Sequence, residues 1–297
     1  MSPDWQIRAA LGVMVLYFGS SFTAYAAAAA SFGFVTINVG RFVLASLILL
    51  AISRGRLASV RHIRGRLLLA GGFGVGLMAV LMAFGVDRAT PTLASLVMAL
   101  ESPGIAVAAA FVARDRPTRA AVLSLMIGFA GSAIASGALT QPPGEVPFLA
   151  VAALLAAVVS FSIYAATIRR TAPGADPLAV ATVVQIGAAM FAAPLLLLDV
   201  LDQGIVRNTP DAAAIISVVI IGAGSALGYW LMSSVLARAS ASRFAVSMYL
   251  LPVVGVTVAW IALGDAPYAR HLAGGALILG AVWVSERAAS RVPRPAT

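Results

Sequence analysis

The chain is a succession of apolar runs, each close to the length of one bilayer crossing, joined by short connections rich in arginine. A transmembrane helix needs about 20 predominantly apolar residues. Ten stretches reach that length: Ile7–Ala29, Phe34–Ser53, Leu67–Val86, Thr92–Ala113, Ala120–Leu139, Phe148–Ile168, Pro177–Leu198, Ala212–Ala237, Phe244–Leu263 and Pro267–Ser285. The last is the most polar at its start, where Arg270 and His271 must sit at the interface. Of the 297 residues 61% are hydrophobic and 10% charged, a ratio that a water-soluble domain of this size has no means to bury. The solvent is therefore lipid, where backbone hydrogen bonds must be satisfied within each crossing. The expected class is an all-α polytopic membrane protein with ten transmembrane helices.

A formal charge of +9 would suggest nucleic acid in a soluble protein, yet every basic residue is an arginine, and all but Arg41 lie between apolar runs or near their ends. If the first helix starts in the cytoplasm, that side holds Arg8, Arg54, Arg56, Arg61, Arg64, Arg66, Arg114, Arg116, Arg119, Arg169, Arg170, Arg238, Arg243, Arg287, Arg291 and Arg294. The other side holds Arg88, Arg207 and Arg270. This positive-inside bias places both termini in the cytoplasm. One rival is a cleaved signal peptide, since Arg8, the run Ala9–Phe18 and the small residues Ala24–Ala26 loosely follow that pattern. An uncleaved first helix is preferred because the internal repeat needs a partner for every span.

That repeat is visible at an offset of about 150 residues: Gly74 meets Gly224, Leu77 meets Leu227, Leu81 meets Leu231, Met82 meets Met232, and Arg88-Ala89 meets Arg238-Ala239. With a one-residue slip Pro103 meets Pro252. The chain thus divides into residues 1–139 and 140–297, each with five helices. An odd number makes the second copy insert upside down, and exchange of conformations between inverted copies turns an inward-open cavity outward.

The residues that carry the repeat also carry a resemblance. "RATPTLAS" and "RASASRFA" at helix ends, proline-bearing helices with "ALESP" and "YLLP", an "RD" or "GD" corner, and a final "HLAGGALILGA" helix resemble the EamA-type branch of the drug/metabolite transporter superfamily over nearly the whole chain. The resemblance implies a ten-helix exporter in the bacterial inner (plasma) membrane, with a narrower likeness to exporters of aromatic amino acids. Two places depart from the family pattern. "LYFGSSF" stands where a tryptophan-glycine pair is common, which puts one cavity aromatic in doubt, and "ARDRP" replaces a glycine-glutamate corner at a helix end.

Glu101 falls near mid-bilayer, where an acidic group costs about 2.5–3.5 kcal/mol unless it meets a wet cavity or a partner, or is protonated. It reads as an anchor for a substrate ammonium group, as a proton site, or as a structural carboxyl bonded to carbonyls freed at Pro103. Its repeat counterpart is Leu250 or Leu251, so the repeat itself does not require it. Arg41, about 10 Å into the second helix, can neutralise Glu101, bind a substrate carboxylate with its planar fork or snorkel outward, with Asn38 one turn away as a helper. Pro103 and Pro252 are expected to bend their helices beside the pathway, and Pro194 to do the same in the seventh. Phe18, Met78, Met82, Met98, Phe161, Tyr164, Trp230 and Tyr249 offer rings and flexible thioethers for a flat or large apolar side chain, though each alone is equally a packing residue. Ser21 and Gln185 complete the candidate substrate-binding set.

No phosphate-cradling glycine loop is present, so direct coupling to ATP is not expected, nor is binding of nucleic acid. The two histidines are too isolated for a metal site, cysteine is absent, and no cofactor is called for. The expected partners are a small-molecule substrate and the lipid bilayer. Oligomeric state is open, and a monomer suffices. The sequence reads as a secondary transporter, not an enzyme, that exports amino acids with aromatic or large apolar side chains through a central cavity. The alternatives are an exporter of drugs or hydrophobic cations and, in other classes, a membrane enzyme or a passive channel.

Overall fold

The computed structural model describes residues 4–89, 91–137, 148–202, 204–263 and 268–291. Its helices are α1 (Asp4–Ala29), α2 (Phe34–Ser53), α3 (Arg64–Gly71), α4 (Met78–Arg88), α5 (Pro91–Met98), α6 (Glu101–Ala108), α7 (Arg119–Ala135), α8 (Phe148–Thr171), α9 (Pro177–Ala192), α10 (Leu196–Asp202), α11 (Ala212–Arg238), α12 (Ala241–Met248), α13 (Leu250–Leu263) and α14 (Ala269–Arg291). Several are parts of one rod. A π-helical stretch, Gly72–Leu77, joins α3 to α4, another, Ala109–Ala113, extends α6, and a 3-10 turn at Ala193–Leu195 containing Pro194 joins α9 to α10. Among the described residues the sole extended pairing is an isolated bridge between Phe32 and Val206.

Among the described residues eight stretches are long and apolar enough to cross a membrane: Asp4–Ala29, Phe34–Ser53, Arg56–Arg88, Leu93–Ala113, Phe148–Thr171, Pro177–Leu201, Ala212–Arg238 and Ala241–Val258. The protein is a multi-pass membrane protein. The other two expected spans are helical but differ in kind. α7 has 17 residues, which at about 1.5 Å per residue falls short of a hydrocarbon core of about 30 Å. α14 has the length but carries Arg270, His271, Glu286 and Arg287. Leu139, Pro267 and the expected boundary between the halves lie outside the described residues.

The two proline-bearing rods are broken rather than bent. α5 ends at Met98 and α6 starts at Glu101, whereas α12 ends at Met248 and α13 starts at Leu250. The pivot residues adopt nearly the same conformation, Leu100 at φ −69°, ψ −12° and Tyr249 at φ −63°, ψ −17°. Each closes a tight turn through its N–H, to the Val97 carbonyl at 3.0 Å and to the Val246 carbonyl at 3.2 Å. Pro103 and Pro252 therefore sit in the first turn of the new helix, where a missing N–H forfeits no intrahelical bond. This corrects the expectation of a lost bond in mid-helix. The preceding turns match too: Ala89 and Ala239 share φ −101° with ψ 157° and 160°.

The principal helix pairs are α7 with α14, α1 with α11, α2 with α9, and α4 with α8; α13 also packs on α1 and α6 on α8. At the α7–α14 crossing the backbones touch: a Cβ on Gly131 would meet the carbonyl oxygen of Gly274, and one on Gly274 would meet that of Gly131.

The end of the bundle that holds the described start and end of the chain is fastened by charge. Arg243, 7% exposed, donates from Nε and Nη2 to the two carboxylate oxygens of Glu286 at 2.5 and 2.6 Å and from Nη1 to Asp4 at 2.7 Å. Arg8 reaches Asp4 at 2.8 Å and Glu286 at 3.1 Å. Beside this network Asp115 accepts from Arg169 at 3.0 Å and from the backbone N–H of Ala241 at 2.9 Å, tying α8 to the first turn of α12. At the opposite end Asp199 accepts from the N–H and hydroxyl of Thr36 at 2.7 and 2.8 Å.

Two stability outcomes follow from these contacts. Gly274→Val is expected to lower the melting temperature in detergent by the equivalent of about 1–3 kcal/mol, the usual cost of overpacking, whereas Gly12→Val, whose Cβ meets nothing within 4 Å, leaves it unchanged. Arg243→Ala is expected to cost about 1.5–3 kcal/mol, because it removes three charge-assisted hydrogen bonds while Arg8 still pairs with both carboxylates, a loss readable in the same melting experiment.

Candidate functional site

A continuous series of aromatic rings crosses the middle of the bundle. Tyr17 and Phe18 of α1 lie 5.0 Å apart; Phe18 meets Tyr229 of α11 edge-on at 5.7 Å; Tyr229 meets Tyr164 of α8 at 6.4 Å; and Tyr164 meets Phe161 at 5.5 Å. Such offset and edge-on contacts add about 0.5–1.5 kcal/mol each beyond area burial. Tyr17 donates to the Ile221 carbonyl at 2.6 Å and lies 3.1 Å from the Ser225 hydroxyl, which locks α1 to α11. Glycines make room for this: the Cβ that Gly224 lacks would strike the Tyr17 ring, and the one that Gly74 lacks would strike Tyr164.

Arg41 of α2 reaches the ring series from one side and is 7% exposed. Its Nη1 donates to the Tyr25 hydroxyl at 2.6 Å, and Tyr25 donates onward to Asn38 Oδ1 at 2.8 Å. Nη2 reaches the Tyr229 hydroxyl only at 3.5 Å, and Nε has no partner. The guanidinium carbon sits 4.6 Å over the Phe42 ring and 5.8 Å from that of Tyr25. No carboxylate pairs with Arg41 among the described residues. A charge in mid-helix costs about 2.5–3.5 kcal/mol on insertion scales. A hydrogen bond from a charged group returns about 1.5–3 kcal/mol and a desolvated cation–π contact about 2. The phenol and the ring face therefore hold the guanidinium in place without a counter-ion.

Glu101 lies on α6, which packs on α8, the helix of Phe161 and Tyr164. It opens α6 immediately after the break, is half-buried, and has neither a hydrogen bond nor an ion pair among the described residues. Its carboxyl lies within Coulombic reach of the Tyr229 hydroxyl. The structure thus does not join it to Arg41, nor to carbonyls freed at the break.

Of the other expected site residues, Phe18, Phe161 and Tyr164 form the ring series, and Met78 and Met82 belong to the same apolar core. Met98 packs instead in a separate cluster with Ala94, Val97 and Leu154. The Tyr249 ring lies against Gly128, with its hydroxyl donating to the Leu125 carbonyl at 3.1 Å, and so is occupied in holding the second break to α7. Trp230 is 40% exposed and turns out of the ring series, while the Ser21 hydroxyl is spent on the Phe18 carbonyl at 2.7 Å. Gln185 is fully buried with both amide atoms unpartnered. Sequence reading overlooked Tyr17 and left Tyr25 and Tyr229 out of the candidate substrate-binding set. The signal for Tyr17 was the repeat, because it packs on Gly224 as Tyr164 packs on Gly74, the repeat mate of Gly224.

The profile of the EamA-like transporter family matches residues 7–137 and 148–286. A protein of Streptantibioticus cattleyicolor named as a probable terminal-alkyne amino-acid exporter is 29% identical over 289 residues, 95% of this chain and 94% of its own. A solved crystal structure superposes with a TM-score of 0.81 at 22% identity, covering 99% of this chain and 100% of that one. That likeness establishes the fold.

Tyr25→Phe removes the hydroxyl that Arg41 and Asn38 share. It is expected to lower stability by about 1–3 kcal/mol, the cost of stranding a buried polar group, as read from the denaturation midpoint of the purified protein.

Proposed function

The chain belongs to the EamA-like transporter family, and from that premise we propose a secondary transporter that exports amino acids with aromatic or large apolar side chains across the bacterial inner membrane. The observation that carries the substrate class is the ring series of Tyr17, Phe18, Tyr229, Tyr164 and Phe161 lying beside an unpartnered acid, Glu101. Flat rings pack a large apolar side chain, and an acid at that depth without a partner in the protein suits a substrate ammonium group. The name borne by the relative from Streptantibioticus cattleyicolor supports an amino-acid substrate.

The proposed mechanism is alternating access in a ten-helix bundle built as two inverted halves, with both termini in the cytoplasm. Support comes from how the helices pair. Exchanging the halves turns the α1–α11 contact into that of α8 with α4, returns α2–α9 and α7–α14 to themselves, and converts α1–α13 packing into α8–α6. The matched breaks at Leu100 and Tyr249 obey the same exchange. The conformation is read as outward-facing. At the charged end α6 packs on α12, and Asp115 bridges Arg169 to Ala241. Toward the other end α5 packs on α8, while α13 packs on α1 and α14.

Two experiments test this reading. In proteoliposomes loaded with L-phenylalanine, Glu101→Gln is expected to weaken apparent affinity about 10–100-fold, the equivalent of one charge-assisted hydrogen bond. Unchanged affinity and rate would remove Glu101 from the site, and transport of lipophilic cations without any of amino acids would replace the substrate class. Asp115→Asn is expected to release the charged end. The chain has no cysteine, so a single cysteine replacing the buried Ser102 reports on that release by faster labelling with an impermeant thiol reagent applied from the cytoplasmic side.

A further inference from the structure

The geometry points to Arg41 as the site for the substrate's carboxylate, making a free carboxylate a requirement for recognition; this rests on the amino-acid reading above and narrows it. A guanidinium presents two edges to a planar anion, and the side-on edge is formed by Nε and Nη2. In Arg41 the atom outside that edge, Nη1, is engaged by Tyr25 at 2.6 Å. On the edge itself Nε has no partner and Nη2 holds the Tyr229 hydroxyl only at 3.5 Å. The protein has therefore oriented the guanidinium through the one nitrogen that a bidentate carboxylate does not need. Asn38 and the Phe42 face fix the orientation further, Asn38 by accepting from Tyr25 and Phe42 by stacking under the guanidinium carbon.

Nε is sealed in this conformation, and the group that must yield is Tyr229. Its ring edge-packs on Phe18 and faces Tyr164, and its hydroxyl lies 3.5 Å from Arg41 Nη2 and near enough to the Glu101 carboxyl to feel its charge. A substrate carboxylate that takes the Nε–Nη2 edge displaces that hydroxyl, leaving the substrate ammonium on the Glu101 side and the apolar side chain against the rings. The site thus carries opposite charges at its two ends, matching a zwitterion and opposing a simple cation. An amine without a carboxylate meets Glu101 but leaves Arg41 as an unanswered positive charge.

The test compares three probes on the purified full-length protein by calorimetry and by counterflow in proteoliposomes: L-phenylalanine, L-phenylalaninamide and phenethylamine. The wild-type protein is expected to bind phenylalanine at least about tenfold more tightly than either analogue, by the scale of one charge-assisted bond. Arg41→Gln is expected to erase that preference by weakening phenylalanine while binding phenethylamine as well as or better than before. A purely structural arginine would not produce that gain. Arg41→Lys, which keeps the charge and loses the fork, is expected to fall between. Equal wild-type binding of all three probes would overturn the carboxylate role while leaving amino-acid export standing. Binding of none of them would overturn both. The wild-type comparison needs no variant, so a poorly folding Arg41→Gln protein does not remove the test.

Discussion

Everything in this structure answers to one constraint, that a polar group in hydrocarbon must find its partner within the protein. The backbone meets it by being helical, and the two breaks meet it with tight turns that reuse the carbonyls of Val97 and Val246. The charged side chains divide into two kinds. Arg243, Asp4, Glu286 and Arg8 satisfy each other at one end of the bundle. Arg41 and Glu101 do not, although both are placed where an unpartnered charge is most costly. Phenols and ring faces hold Arg41 and leave part of its hydrogen-bonding capacity unused.

Much of this was legible in the sequence because lipid imposes a coarse grammar. Apolar length located the crossing helices, and the offset of about 150 residues that links Gly74 to Gly224 anticipated the matched turns at Ala89 and Ala239. What could not be read were features that depend on a rotation of a few tens of degrees about a helix axis. Trp230 and Tyr229 are neighbours in sequence, yet one faces outward and the other is buried with its hydroxyl 3.5 Å from Arg41. Composition gives both the same weight. Met98 was assigned to the pathway for its flexible thioether, and it packs in a side cluster with Ala94, Val97 and Leu154. The ion network at Arg243 was also invisible, since its acids are 43 and 239 residues away.

The prolines carry a similar lesson. Their repetition marked the right rods, and the deduction of a lost hydrogen bond failed because a break can be placed so that the proline begins a helix instead of interrupting one. A break of this kind divides a rod into two short segments joined through Ala99 and Leu100 in one case and through Tyr249 in the other.

The fixed charges obey no such pairing. Glu101 answers to leucine in the other half, and the position matching Arg41 is close to the neutral Gln185. Under the proposed exchange of conformations, identical inverted halves would give the inward-open and outward-open forms equal energies by symmetry. Charges confined to one half are one way for a chain of that design to lift the degeneracy, and a ligand that neutralises both at once would then shift the balance between the two forms.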